Sequence, residues 1–378
     1  MNIALITLPL HTNYGGILQA YALKTVLEGY GNEVTLLDPK EKVRLPKWWK
    51  APAVYLKRGL LSVFKGEAGP EIFREIRLRR ERPLISAETA RFISAHLATM
   101  EIKSYESVPE CFDAFVVGSD QVWRPRYFGK IENAFLDFTS CLDVVRVAYA
   151  ASFGTDQLEY DFQQIENCSV LLKDFDGVSV REDSAVSMCD EWFECDRAMQ
   201  VLDPVMLLPK EHYEGIAKGY ATGRTHFRAM EYFLDVPGNI DNVRRLVKRA
   251  AGLEVVDVSV PADRRIPVSK RVVPPLESWL SEIADASFVL TDSFHVCVLS
   301  ILFHKPFLVV ANAARGLSRI ESLLRTFSLE SRLVQGIDPD DDGEGWLMEI
   351  DWDNVDRILE ARKSESLAFL EKYLKTVK

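Results

Sequence analysis

The chain opens on an apolar run, Ile3–Leu8, followed by the polar, glycine-bearing stretch Thr12–Gly16. Helical spacing then runs from Ile17 to Glu28, with Leu18, Tyr21, Ala22 and Val26 on the apolar face. Gly31 and Asn32 stop that helix, and Val34–Leu37 is the next strand. A strand–helix–strand unit of this kind predicts a parallel sheet. Residues 40–100 break the alternation and read as a helical insertion. Strand runs return at Phe112–Val117, Val145–Ala150 and Gly177–Val180, with helices over Gln157–Leu172 and from Arg181–Ser184 onward. A second cycle follows, with strands at Met230–Leu234, Leu253–Val258, Ser287–Leu290 and Pro306–Val310. Its helices fall at Asn239–Ala251, Leu276–Ala284, His295–Phe303 and Leu317–Thr326, and helical spacing returns from Val355 to Thr376. The expected fold is α/β, two Rossmann-like domains facing across a cleft. Residues 1–210, with the insertion at about 40–100, form the first; residues 211–350 form the second; helix 352–378 rejoins the first.

Composition fits this picture without sharpening it. Of 378 residues, 47% are apolar and 27% charged, the balance of a soluble globular protein. No apolar run reaches the roughly 18–20 residues that cross a bilayer. The N-terminus has neither a basic segment nor a small-residue cleavage site, so the expected location is cytoplasmic. Six cysteines, at 111, 141, 168, 189, 195 and 297, show no metal-ligand spacing and read as free thiols. A net charge of −10 argues against nucleic acid as a partner.

Charge distribution does change the picture. Between Lys40 and Pro83 lie thirteen Lys/Arg against five Glu, interleaved with Trp48, Trp49, Tyr55, Phe64 and Phe73. Such a stretch suits peripheral contact with an anionic membrane, at its inner face, or with a lipid-linked glycan. Its other reading is a helical flap over the cleft with a solvated basic face.

In open α/β sheets, ligands bind beyond the carboxyl ends of strands, against helix N-termini. Three strand-to-helix junctions carry the right residue types. Asn13-Tyr14-Gly15-Gly16 offers close backbone approach and free amides; its plain reading is a glycine turn. Ser119-Asp120-Gln121 followed by Trp123 offers hydroxyl-gripping polar groups and a ring to stack on a sugar, against an N-cap and a core tryptophan. Thr291-Asp292-Ser293 places His295 in the first turn of a helix, where the dipole favours neutral imidazole, a base able to take a hydroxyl proton. The competing reading is a capping or buried histidine.

Together these junctions resemble the polysaccharide pyruvyl transferase family. The matching stretches are NYGGILQAYAL (13–23), FDAFVVGSDQVW (112–123), AYAASFG (148–154), VSVRED (178–183), LDPVMLL (202–208), TDSFH (291–295), KPF (305–307) and RGLSRIESLL (315–324). The resemblance implies a GT-B-like fold. It also implies transfer of the pyruvyl group of phosphoenolpyruvate onto two hydroxyls of a glycan sugar, giving a cyclic ketal. Phosphoenolpyruvate is then a co-substrate, and neither a cofactor nor a metal is required. The acceptor is a glycan, lipid-linked or otherwise activated. A donor carrying carboxylate and phosphate needs cationic clamps. Arg181, Lys305, Arg315 and Arg319 are the candidates, with Ser293 beside them. His295 is the expected acid/base. Asn13, Tyr14, Gly15, Gly16, Ser119, Asp120, Gln121 and Trp123 fall to the acceptor. The chain departs from the family at Ser293, where other branches carry Arg, and at Val296-Cys297, where the SFH branch has Gly-Thr.

Two other functions stay open at this level: a glycosyltransferase using a nucleotide sugar, and a non-catalytic glycan-binding relative. The acidic loop Asp338–Glu349 satisfies the spacing of a calcium-binding EF-hand loop, but Gly345 stands where an aliphatic residue is expected and no amphipathic helix enters it.

Overall fold

The computed structural model describes residues 1–39, 45–65, 71–220, 228–236, 240–312, 316–335 and 348–375. The first half alternates β1 (Asn2–Ile6), α1 (Tyr14–Gly29) and β2 (Glu33–Pro39) before the insertion α2 (Ala51–Lys65), α3 (Arg74–Ile85) and α4 (Ala87–His96). It continues with β3 (Thr99–Ile102), β4 (Ala114–Val117), β5 (Val145–Ala151), α5 (Phe162–Lys173), β6 (Gly177–Val180), α6 (Asp183–Phe193) and β7 (Met199–Gln200). The second half follows helix α7 (Lys210–Ala217). It comprises β8 (Arg228–Tyr232), α8 (Ile240–Ala251), β9 (Glu254–Asp257), α9 (Leu276–Ala284), β10 (Phe288–Thr291) and α10 (Phe294–Leu302). Then come β11 (Phe307–Val310), α11 (Ser318–Thr326), β12 (Leu333–Val334) and α12 (Trp352–Leu374).

Strands buried on both faces read as unbroken apolar runs, the signature of parallel sheets covered by helices. Ala114–Val117, Phe288–Thr291 and Phe307–Val310 are buried at every position. Two such sheets form. The first has seven strands in the order β3-β2-β1-β4-β5-β6-β7, the second five in the order β12-β11-β10-β8-β9, and every pairing is parallel. Both are doubly wound. Strand order reverses between β1 and β4 in the first sheet and between β8 and β10 in the second. A crevice opens beyond the carboxyl ends of strands at each reversal. The junctions singled out in the sequence follow β1, β4 and β10, so they sit at these two switch points. These two parallel sheets are the α/β fold of two Rossmann-like domains expected from the sequence.

The two domains share one continuous apolar cluster that takes in α1, α10 and the 3₁₀ turn Pro204–Leu207. Tyr14 stacks on Trp279 of α9, ring centroids 4.7 Å apart, and its hydroxyl donates to the Pro274 carbonyl at 2.7 Å. Helix α12 packs on the first sheet: Phe369 meets Tyr149, and Ser366 Oγ accepts from the Leu202 amide at 3.0 Å. The insertion bridges to the second domain. Arg91 of α4 pairs with Glu277 at 2.7 Å, and Glu81 of α3 with Arg271 at 2.6 Å.

Candidate active site at the meeting of two switch points

Asn13 caps α1, its side chain accepting from the Gly16 amide, so the helix begins at Tyr14 rather than at Ile17. Gly15 therefore lies in the first helical turn, and the imidazole of His295 rests directly on it. A Cβ at Gly15 would fall 2.1 Å from His295 Nδ1 and 2.4 Å from Cγ. The glycine is there because a ring from the other domain occupies the space of its side chain.

His295 occupies the first turn of α10, two residues after the capping position Ser293. Its Nε2 stands 3.6 Å from Asp203 Oδ2, just beyond hydrogen-bond length. Asp203 is buried and oriented by its own chain, since Oδ1 accepts from the Val205 amide at 3.0 Å. Its Oδ2 also accepts from Arg181 Nη1 at 2.8 Å. Arg181 reaches further to Asp120 Oδ1 at 3.4 Å. Asp120 holds a left-handed backbone (φ 72), a strained conformation of the kind that gathers at functional sites.

Electrostatics follow from this packing. Burial favours neutral Asp203, but His295 and Arg181 outweigh it and hold the carboxyl well below the usual range. Burial likewise opposes charge on Asp120, and Arg181, His295 and Arg319 overcome it. Arg181 is raised above its ordinary value, because Asp203 and Asp120 outweigh its desolvation. Arg319, from α11 of the second domain, is pushed down to about 10, by burial first and by the like charge of Arg181 next. The Phe294 ring neighbours both guanidiniums, its centroid 4.3 Å from Arg181 and 6.0 Å from Arg319. The result is a buried, charged centre drawn from both domains: an imidazole against a carboxylate, beside two arginines.

The polysaccharide pyruvyl transferase family model matches residues 13–313. The chain belongs to that family. It is thereby a member of a transferase family that joins a small-molecule donor to a glycan acceptor. No curated protein matches it in sequence. Solved structures align along its length at low identity. The MnaA–UDP structure of S. aureus aligns at 14% identity, covering 100% of this chain and 97% of that one, with a TM-score of 0.48. A UDP-glucosyltransferase from Polygonum tinctorium gives 11%, 100%, 99% and 0.45 in the same terms. An O-GlcNAc transferase from Thermobaculum terrenum gives 12%, 99%, 68% and 0.47. Likenesses this distant say nothing of this chain's chemistry.

The family motifs converge, but several expected contacts need correction. Trp123 is fully buried, stacked on Phe135 at 4.9 Å, with its indole N–H given to the Ala134 carbonyl. It is a core residue and presents no face to a sugar. Tyr14 is spent on the domain contact with Trp279 and Pro274. Ser119 is fully buried, its amide bound to Gln19, and its hydroxyl is shared between the Ala150 carbonyl at 3.1 Å and Asp203 Oδ2 at 3.4 Å, so it backs the central carboxylate rather than an acceptor. Gln121 is half-buried, packed where a side chain on Gly154 would go and accepting from Arg124. Asp120 faces Arg181, so among the acceptor candidates only Asn13, at the helix cap, is exposed. Lys305 is not in the site at all. It follows the far end of α10, one helix length from His295, and burial lowers its pKa. Ser293 sits at the cap of α10 and makes no side-chain capping bond; Val296 and Cys297 face the core, fully buried. Arg315 and nearly all of the loop 338–349 lie outside the described residues.

Two residues were missed. Asp203 falls within the LDPVMLL stretch, and its buried Asp-Pro turn was the available signal. Glu182, in VSVRED, is fully buried and organises the AYAASFG loop, accepting from Ser152 Oγ and from the Phe153 and Gly154 amides at 2.8–3.2 Å.

Proposed function

We propose that the chain transfers the pyruvyl group of phosphoenolpyruvate onto a pair of sugar hydroxyls, with His295 as acid/base. The observation carrying this is the His295–Asp203 pair assembled between the domains beside Arg181 and Arg319. Protonation of the enol methylene makes an oxocarbenium-like carbon, to which one hydroxyl adds with loss of its proton. The C–O bond to phosphate then breaks, and the second hydroxyl closes the ketal, losing its proton in turn. Overall, donor and diol give ketal and inorganic phosphate. Asp203 positions the ring and stabilises it when protonated. Arg181 and Arg319 supply charge for the donor's carboxylate and phosphate. No step calls for a metal.

Helix α2 supports peripheral attachment to an anionic membrane. Its exposed face comprises Pro52, Ala53, Leu56, Lys57, Leu60, Val63 and Phe64, nearly all apolar, and Val63 and Phe64 are 82% and 85% exposed. Lys47 and Lys50 precede the helix, Lys57 lies within the face, and Trp48 stands 82% exposed just before the helix. An apolar stripe edged with lysines is the makeup of an interfacial helix. No helix among the described residues is long and apolar enough to cross a membrane.

The test is a thermal-shift screen with phosphoenolpyruvate, nucleotide sugars and sugar phosphates, followed by phosphate release in the presence of candidate glycans. Stabilisation by phosphoenolpyruvate and glycan-dependent phosphate release are expected. Stabilisation by a nucleotide sugar alone would replace this reading with glycosyl transfer.

A further inference from the structure

A second charged site lies apart from the His295 centre. A cavity of about 980 Å³ opens between helix α3, the loop leading into α1, the end of β3 and the segment before α9. Both domains line it. Six cations face it, Arg74, Arg77, Arg82, Lys103, Arg264 and Arg271, against two carboxylates, Glu81 and Glu101. It shares no residue with the His295, Arg181 and Arg319 cluster, so it is separate from the donor site proposed above.

The cations are held in place. Glu81 accepts from Arg77 at 2.9 Å and from Arg271 at 2.6 Å. Glu71, behind the wall, grips Arg77 through two bonds of 2.7 and 2.9 Å and meets Arg264 at 3.5 Å. Two carboxylates thus orient three guanidiniums drawn from two domains, which leaves their summed charge positive. Arg74 and Lys103 add exposed charge at the rim. Guanidiniums fixed in this way match the several oxygens of a phosphate group better than a single carboxylate. The volume suits a ligand larger than one phosphate.

Position supplies the second argument. His11 and Thr12 line the cavity, and Arg82 contacts the His11 ring. Three residues on from Thr12, the chain reaches Gly15 in the first turn of α1, under the His295 ring. The chain spans at most about 11 Å over that interval. A glycan anchored in the cavity by its phosphate would extend along this loop toward the imidazole.

We propose that this cavity binds a phosphate or diphosphate group carried by the acceptor, which therefore has the chemistry of a sugar phosphate. The word acceptor rests on the pyruvyl-transfer reading; the anion site does not. The probe is inorganic pyrophosphate, titrated calorimetrically into the full chain. Salt-sensitive binding is expected, weakened about tenfold by Lys103→Ala and by Arg264→Ala, the worth of one charged hydrogen bond. Competition by a soluble nucleoside diphosphate sugar and by a detergent-solubilised lipid diphosphate then tells the two sources of phosphate apart. Absence of pyrophosphate binding, binding indifferent to both substitutions, or preference for a uronic acid over pyrophosphate would each overturn the proposal. Phosphoenolpyruvate binding, followed on the same variants, keeps the two readings distinct. If it persists while pyrophosphate fails to bind, only this proposal falls.

Discussion

Gly15→Ala isolates the contact between the domains at the site. Alanine is the better helix former by about 1 kcal/mol, and Gly15 lies inside α1, so the backbone gains. The side chain meets the ring. Its Cβ would stand 2.1 Å from Nδ1, 2.4 Å from Cγ and 2.8 Å from Cε1 of His295. Carbon atoms rest at about 3.5–4.0 Å, so the ring must retreat by roughly 1.5 Å. Asp203 already stands 3.6 Å behind Nε2. Either the imidazole rotates away from Asp203 or the domains part, and both displace the proposed acid/base. A misplacement of about 1 Å costs on the order of 10²-fold in rate. Overpacking costs about 1–3 kcal/mol, partly offset by the helix gain, so net destabilisation stays near 0–2 kcal/mol. The expected outcome is turnover down about 10²-fold with the fold intact, read by glycan-dependent phosphate release and by thermal melting. In a His295→Ala background the clash vanishes, so Gly15→Ala should lower neither stability nor residual activity further. Near-normal turnover of Gly15→Ala, or equal destabilisation in both backgrounds, would refute the reasoning.

Three further outcomes follow from the same geometry. His295→Gln should fold normally and lose about 10²–10⁴-fold in turnover, the range for a lost acid/base; a folded variant with near-normal rates would remove that role. Asp203→Asn should destabilise by about 3–5 kcal/mol at neutral pH, because it leaves Arg181 buried with a weaker partner. Since the native carboxyl is held below its ordinary value, the stabilisation is complete above the unfolded pKa of about 3.9 and is lost as pH falls from there toward the native value. Melting curves from pH 7 to 2 should therefore converge for the two proteins, and a constant gap would contradict the assignment. On the exposed apolar face of α2, the paired change Val63→Glu and Phe64→Glu should abolish the proposed co-sedimentation with anionic vesicles without altering phosphoenolpyruvate binding, and unchanged sedimentation would dismiss α2 as the contact.

How much of this was legible in the chain depends on whether the deciding contact is local. Strands such as Ala114–Val117 and Phe307–Val310 announce themselves, because burial on both faces leaves an unbroken apolar run. Strand β3 does not, since it lies at a sheet edge and only Ile102 among its residues is buried. The glycines at 15 and 16 look like a turn because glycine is a poor helix former; they begin a helix because the reason for Gly15 lies 280 residues away, in His295. Asp203 was hidden for the same reason: its partners, Arg181 and His295, come from two other segments. Lys305 misled in the opposite sense. Ten positions after His295, it seemed near, but the nine-residue helix α10 carries the chain about 13 Å to the other end of the sheet. Trp123 followed a polar cluster and so read as a rim residue, whereas its depth is set by Phe135 and Phe153.

That the site is built across two switch points ties its chemistry to domain closure. His295 and Arg319 come from one domain, Asp203, Asp120 and Arg181 from the other. Closure is held by Tyr14 on Trp279 and by Ser322 Oγ, which accepts from the Asp183 amide at 3.0 Å and from Gln200 at 2.9 Å. Arg325 adds an ion pair with Asp183. Yet the meeting of the domains also sets the buried Arg319 near the like charge of Arg181, which adds to burial in lowering Arg319 to about 10. A doubly anionic donor shared by the two guanidiniums removes the repulsion, so on the proposed chemistry donor binding and closure favour each other. The His295–Asp203 pair, 3.6 Å apart, spans the same interface, so on that chemistry a donor that holds the domains together also holds the pair.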